Sequence, residues 1–164
     1  KKPFCFAMRG LYYGRFGSDA ENSLYPIYIN YPWYIRGYDR IDTYNSDSSY
    51  VNYNQLNGSQ ILVANFEIRL PFTGPERLTV LKSNIFYTEL ALFADAGVAW
   101  NSKNPPVLRW TPKNREERIP VFSTGISLRF NLFGMMVIEP FYAIPFQLGG
   151  FESAYIGVNF LPGW

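Results

Sequence analysis

The chain has 164 residues, of which 48% are hydrophobic, 19% aromatic and 17% charged, and its formal net charge is +2. The charged fraction lies below the roughly 25% of typical soluble domains, and the net charge is too small to indicate a nucleic-acid partner. The absence of histidine excludes Ser-His-Asp and Cys-His catalysis and histidine-ligated zinc, and the single cysteine, Cys5, excludes an internal disulfide. We predict no cofactor and no metal site, and we expect Cys5 to be a small inward-facing or core residue.

Six segments of about ten residues alternate between apolar and polar side chains with a period of two, which predicts β-strands. In chain order they are residues 4–15, 61–72, 86–100, 121–132, 135–146 and 153–161. The alternation is weakest in the first segment. In the second and third segments, the polar faces carry Asn65, Glu67, Arg69, Glu89 and Asp95. No segment has the period of a long helix, and no run approaches the ~20 apolar residues of a membrane helix.

Two all-β folds fit this pattern. In a soluble antiparallel sandwich, the apolar faces would bury against each other. In a transmembrane barrel, strands of about 9–11 residues present apolar side chains to lipid and polar ones to the lumen, with aromatic residues at both interfaces. We favour the antiparallel transmembrane β-barrel because the polar faces carry Arg and Glu and the strand ends carry aromatic residues: Phe72, Phe86, Trp100, Phe122, Phe146, Phe160 and Trp164. Pro140 lies within a strand on the apolar face, where it removes a ladder donor, and this either counts against the strand assignment or marks a bulge.

The connections between strands differ in length. Residues 131–134 read as a tight turn, whereas residues 17–59 and 101–120 are long and polar. Outer-membrane barrels have short periplasmic turns and long extracellular loops. We therefore expect loops 17–59 and 101–120 to be extracellular and both chain ends to be periplasmic.

Six strands are too few to close a single-chain barrel, which needs about eight or more. An open sheet edge cannot face lipid, because its backbone groups would lack hydrogen-bond partners there. Either residues 1–164 are part of one larger barrel domain, with upstream strands and periplasmic domains absent from this sequence, or several copies of the chain combine.

Three motifs resemble those of the bacterial surface antigen superfamily, which includes the BamA-type assembly barrels and the two-partner secretion transporters. The first is Ile35-Arg36-Gly37-Tyr38-Asp39, similar to the family's Val/Ile-Arg-Gly-Tyr/Phe loop motif. The second is the strand motif Phe93-x-Asp95-x-Gly97. The third is the segment "YIGVNF", with Tyr155, Gly157 and Phe160, which resembles a C-terminal insertion signal, although "LPGW" follows it.

The resemblance implies that this chain is about the last six strands of a barrel that usually has sixteen. It also implies that loop 17–59 inserts into the lumen, where Arg36 meets carboxylates of the inner wall. The candidates are Asp95 and Glu67, which both lie on polar strand faces, and Tyr38 and Phe93 are expected to pack beside the pair. A guanidinium fork can meet two carboxylates at once, and Gly37 would let the backbone turn sharply or approach the wall.

The resemblance implies a non-enzymatic protein of the bacterial outer membrane that assembles or translocates other proteins. Its partners would be outer-membrane lipid, the assembly machinery during insertion, and client proteins or accessory subunits. The alternative is a barrel that anchors or exports a fused periplasmic or surface domain. An acid-base pair among Glu67, Glu89, Asp95 and Glu139 would indicate a glycoside hydrolase, but no motif fixes their spacing.

Overall fold

A computed structural model describes residues 3–17, 19–21, 25–40, 51–83, 87–132 and 135–162. Of these, residues 161 and 162 are described by their backbone alone. Phe86, Trp164 and the second half of the predicted turn at 131–134 lie outside these residues. Within the described ranges, no helix has the length and apolar character needed to cross a bilayer.

The described residues form strands joined by turns and three short 3₁₀ helices at Tyr53–Leu56, Phe146–Leu148 and Gly150–Ser153. The strands are β1 (Cys5–Gly14), β2 (Ile27–Tyr28), β3 (Asn57–Gly58), β4 (Gln60–Gly74), β5 (Leu81–Lys82), β6 (Tyr87–Trp100), β7 (Val121–Leu132), β8 (Met136–Pro145) and β9 (Tyr155–Pro162).

The six long strands pair in the order β1-β4-β6-β7-β8-β9, and every pair among them is antiparallel. These are the six segments predicted from the alternation, so the all-β antiparallel fold is confirmed. The short β5 pairs in parallel with the end of β4, and β2 and β3 form a small separate sheet. A closed barrel of sixteen strands stays a prediction.

The sheet stays in register at Pro140, where the sequence left a bulge open. Ser127 pairs with Phe141 and Phe130 pairs with Ile138, in the same register on both sides of the proline. The bulge expectation at Pro140 is therefore wrong, since the ladder tolerates one missing rung without an extra residue. An irregularity occurs instead between Pro71 and Thr73, where β4 pairs with β6.

The sheet has one polar and one apolar face, because paired residues across the six strands share the same parity, except for Thr73 and Thr88 beyond the irregularity in β4. The polar face holds the odd-numbered residues and the apolar face the even-numbered ones. Large side chains of the apolar face are exposed: Phe6, Met8, Leu62, Phe66, Ile68, Leu90, Leu92, Ile126, Tyr142, Ile156, Val158 and Phe160.

Cys5 pairs with Arg69, which places it on the polar face, but its side chain is exposed. Cys5 is therefore not a core residue of the described sheet, although it lies on the polar face that is predicted to point inward. Cys5 begins β1, which pairs in the described sheet along one side only, with β4.

The connection from β1 to β4 packs against the polar face. Ile29, Ile35, Tyr38, Val51 and Leu56 of this connection are fully or almost fully buried. They form one apolar cluster with residues from the adjoining ends of β4, β6 and β7, namely Ile61, Val63, Ala99 and Val121, and with Ile119. The main core therefore lies between the long loop and the sheet, and this packing brings Ile35 to Asp39 against the strands.

Candidate functional site

Three carboxylates lie close together on the polar face. Glu67 comes from β4, Asp95 from β6 and Glu139 from β8, and all three are buried. Their odd positions put them on one side of the sheet, and the pairing of Asn65 with Asp95 and Glu67 with Phe93 brings the first two together. We call Glu67, Asp95 and Glu139 the carboxylate triad.

Arg36 contacts all three members of the carboxylate triad. Its Nε and Nη2 donate to the two oxygens of Asp95, both at 2.8 Å, and its backbone N–H donates to Asp95 Oδ2 at 3.1 Å. Its Nη1 lies 2.8 Å from Glu139 Oε1 and 2.9 Å from Glu67 Oε1. The residue is only 3% exposed. Bidentate, desolvated pairs of this kind are among the strong ion pairs in proteins.

The protonation state of Arg36 is fixed by the triad. Burial alone would lower the pKa of its guanidinium, but the hydrogen bonds and charge of Asp95, with the charges of Glu139 and Glu67, raise that pKa above its ordinary value. Arg36 therefore carries its positive charge throughout the pH range in which the protein is folded.

The guanidinium also stacks on an aromatic ring. Arg36 Cζ lies 3.7 Å from the centroid of the Phe93 ring, a cation–π geometry. Phe93 is paired with Gly125 across β6 and β7, and a Cβ on Gly125 would lie 2.7 Å from the ring. The glycine thus leaves the space that the Phe93 ring occupies.

A second set of polar side chains holds the triad in position. Asn65 Nδ2 donates to Asp95 Oδ1 and Ser127 Oγ donates to Glu139 Oε1, at 2.8 and 2.7 Å. Arg69 Nε donates to Glu67 Oε2 at 2.7 Å, and Arg129 Nη1 lies 3.4 Å from the same oxygen. The carboxylates are therefore oriented by the strands before any loop contact is counted.

The loop approaches the strands closely on both sides of Arg36, through its backbone at Gly37 and through the side chain of Ile35. Gly37 has φ of +100°, a conformation that favours glycine, and a Cβ there would lie 3.3 Å from Ala143 Cβ. A Cβ on Gly97 would lie 2.3 Å from Ile35 Cδ1. Two glycines, one on the loop and one on the wall, thus allow the loop to sit against the sheet.

Tyr38 is fully buried and bonds away from the carboxylate triad. Its hydroxyl lies 2.9 Å from the carbonyl of Phe122 and 2.8 Å from Gln147 Oε1, and it accepts the Gln147 backbone N–H at 3.2 Å. It ties the loop to β7 and to the turn after β8.

Replacing Tyr38 by Phe is expected to lower the free energy of unfolding by about 1–2 kcal/mol. The reason is that the Phe122 carbonyl and the side chain and backbone N–H of Gln147 lose a hydrogen-bond partner. Denaturant titration of the folded protein measures this loss. Tyr142→Phe is the matched control, since that hydroxyl lies on a partly exposed side chain of the apolar face. Equal stability of the two variants would contradict the tethering role of Tyr38.

The segment that resembles an insertion signal forms most of β9. Tyr155 and Gly157 lie on the polar face, where a Cβ on Gly157 would lie 2.4 Å from the Phe141 ring. Phe160 lies on the apolar face, paired with Ile138, and is exposed. The geometry gives Gly157 a packing role, and the signal itself stays a prediction.

The structure places the sequence-derived candidates Arg36, Asp95, Glu67 and Phe93 in one contact set. Sequence reasoning did not include Glu139 among the partners of Arg36, although its parity on β8 put it on the polar face.

A small cavity of about 140 Å³ beside the cluster is lined by Arg9, Trp33, Arg36, Glu67, Arg69 and Glu139, among others. In the part of the chain that the structure describes, no group of His, Cys, Asp and Glu has a metal-binding arrangement.

Comparison with family models gives a match over residues 7–163 to the family described as the Omp85 superfamily domain. No curated protein and no solved structure matches the chain significantly.

Proposed function

This chain belongs to the Omp85 superfamily, and on that premise we propose that it is the last six strands of a sixteen-stranded outer-membrane barrel that assembles or translocates other proteins. The family match confirms the resemblance seen in the sequence. The superfamily consists of bacterial outer-membrane β-barrel proteins that act in assembly and transport rather than as enzymes.

The exposed apolar face supports a position in the membrane. Exposed apolar residues stand on four strands of the sheet, β4, β6, β7 and β9, and each is 48% exposed or more: Leu62, Leu92, Ile126, Ile156 and Phe160. A contiguous apolar surface of this kind is rare on soluble monomers and marks a protein or membrane contact. In the proposed barrel the apolar face contacts lipid and the polar face lines the lumen.

The two edges of the sheet support additional strands. In the described residues β1 and β9 end the sheet, each paired with one neighbour. Unpaired edge groups have no hydrogen-bond partner in lipid, so a membrane barrel must pair both edges. Upstream strands of the same barrel would do so.

The contact of Arg36 with the carboxylate triad carries the proposal. The loop between β1 and β4 packs on the polar face, which is the lumen side of the proposed barrel. Arg36 would then lock this loop inside the lumen through Glu67, Asp95 and Glu139. A lumen closed by this loop would be a permeability barrier, and the charged cluster is one of the contacts that hold the loop in place.

We expect vesicles containing the full-length protein to accept an unfolded outer-membrane client faster than empty vesicles do. Protease treatment separates the outcomes: an inserted client becomes resistant, and a translocated client is protected inside the vesicle. Vesicles with an unrelated sixteen-stranded porin are the control for barrel-induced lipid defects. Client rates equal to this control would favour the alternative, in which the barrel anchors a fused domain.

A further inference from the structure

Part of the loop from β6 to β7 lies on the apolar face of the sheet. Trp110 stacks on Phe122 with ring centroids 5.7 Å apart and planes 12° apart, and it contacts Phe146 at 5.9 Å. Phe122 lies on the apolar face at the start of β7, and Phe146 directly follows β8. The loop therefore passes over the end of the sheet and rests on its outer side.

The residues that lead to Trp110 leave apolar side chains uncovered. Leu108 is 90% exposed and Trp110 is 57% exposed, although both are large hydrophobic residues. We call Val107–Trp110 the rim segment. Its backbone is held in place, because Val107 N–H donates to the carbonyl of Arg118 at 2.7 Å. The exposure thus belongs to a segment with a defined backbone position.

The surface around the rim segment is basic. Residues 101–120 contain five basic and two acidic residues. Arg118 is buried, so four basic and two acidic side chains remain at the surface, a net charge of +2 (4 − 2). Arg109 pairs with Glu117 at 3.0 Å, and Lys113 is exposed two residues after Thr111. Cationic side chains beside an exposed Trp and Leu match the boundary between lipid phosphates and acyl chains.

We propose that the rim segment is a lipid-binding anchor, in which Leu108 and Trp110 enter the interfacial layer of the membrane and nearby basic residues contact lipid phosphates. This inference rests on the proposed membrane barrel, because it needs the apolar face to contact lipid. Lipid is the occupant that fits, since the segment continues the apolar face without a break from Phe122 and Phe146. Its effect is to fix the extracellular loop at the membrane surface.

Fluorescence quenching of a label at position 108 tests the anchor. The full-length protein carries Cys5→Ser and Leu108→Cys with a polarity-sensitive fluorophore, in vesicles of phosphatidylethanolamine and phosphatidylglycerol. The quenchers are a lipid with a nitroxide near its headgroup and aqueous iodide. Two reference labels are Leu92→Cys, in the middle of the apolar face, and Lys103→Cys, an exposed position in the same loop.

We expect the label at position 108 to be quenched by the nitroxide lipid and protected from iodide several-fold relative to position 103. Iodide quenching at 108 equal to that at 103 would overturn the anchor. Protection from both quenchers would mean that protein, such as a second copy of the chain, covers the segment, and would also overturn it. Lipid protection of position 92 reports separately on the membrane barrel: its absence would contradict the proposed function itself.

Discussion

Replacing Arg36 by Ala is expected to destabilise the barrel by about 3–5 kcal/mol, because three buried carboxylates lose the positive charge that all of them contact. The guanidinium makes four hydrogen bonds or ion pairs to the triad within 2.9 Å and stacks on Phe93. Samples are heated to a series of temperatures and then separated by detergent electrophoresis in the cold. The measurement is the heating temperature at which the folded, fast-migrating form disappears. The fraction of protein that reaches this form during membrane insertion should fall as well.

Two further variants separate charge from packing. Arg109→Ala removes an ion pair between partly exposed side chains and should change stability by under about 1 kcal/mol. Adding Asp95→Asn to Arg36→Ala should recover part of the loss, because it removes one uncompensated buried charge. Wild-type melting and assembly of Arg36→Ala would show that the loop is not locked at this cluster.

Replacing Gly125 by Ala is expected to destabilise the sheet by at least about 1–3 kcal/mol, the range for overpacked sites. A Cβ at this position would lie 1.9 Å from the carbonyl oxygen of Tyr142 and 2.7 Å from the Phe93 ring. The first contact forces β7 and β8 apart, and the second pushes the ring from beneath Arg36. Denaturant titration should show the loss, and protease cleavage at Arg36 should become faster.

Gly10→Ala is the matched control, since it adds the same methyl group to a strand of the same sheet. A Cβ on Gly10 would meet no atom within 4 Å. We expect its stability to stay within about 0.5 kcal/mol of wild type, as for most exposed substitutions. If Gly125→Ala were equally neutral, the Phe93 ring would not depend on the space that this glycine leaves.

The strands and their faces could be predicted from the sequence because alternation has a direct physical cause. Successive side chains in a strand point to opposite faces, so the parity of Glu67 and Asp95 fixed the side on which they lie. The choice of Arg36 as their partner came from the Ile-Arg-Gly-Tyr motif and its resemblance to a family. Alternation alone carries no information on where a loop of over forty residues returns to the sheet.

Other features depend on contacts between distant parts of the chain. Glu139 was on the correct face, but its distance from Arg36 depends on how β7 and β8 follow β6 in the sheet. The stacking of Trp110 on Phe122 depends on the path of residues 101–120, which have no periodic pattern. Pro140 suggested a bulge by local rules, whereas pairing on both sides of it kept the register.

The loop between β1 and β4 neutralises a net negative charge in the buried ion-pair cluster of the polar face. Among the strand residues of this ion-pair cluster, Glu67, Asp95 and Glu139 carry three negative charges, and Arg69 and Arg129 carry two positive ones. Arg36 supplies the third positive charge, so the loop acts as the counter-ion of the wall. Dissolved salt screens exposed charges over about 8 Å at physiological ionic strength but reaches buried pairs much less. Raising the ionic strength should therefore weaken surface ion pairs of this protein but leave the loop bound to the polar face.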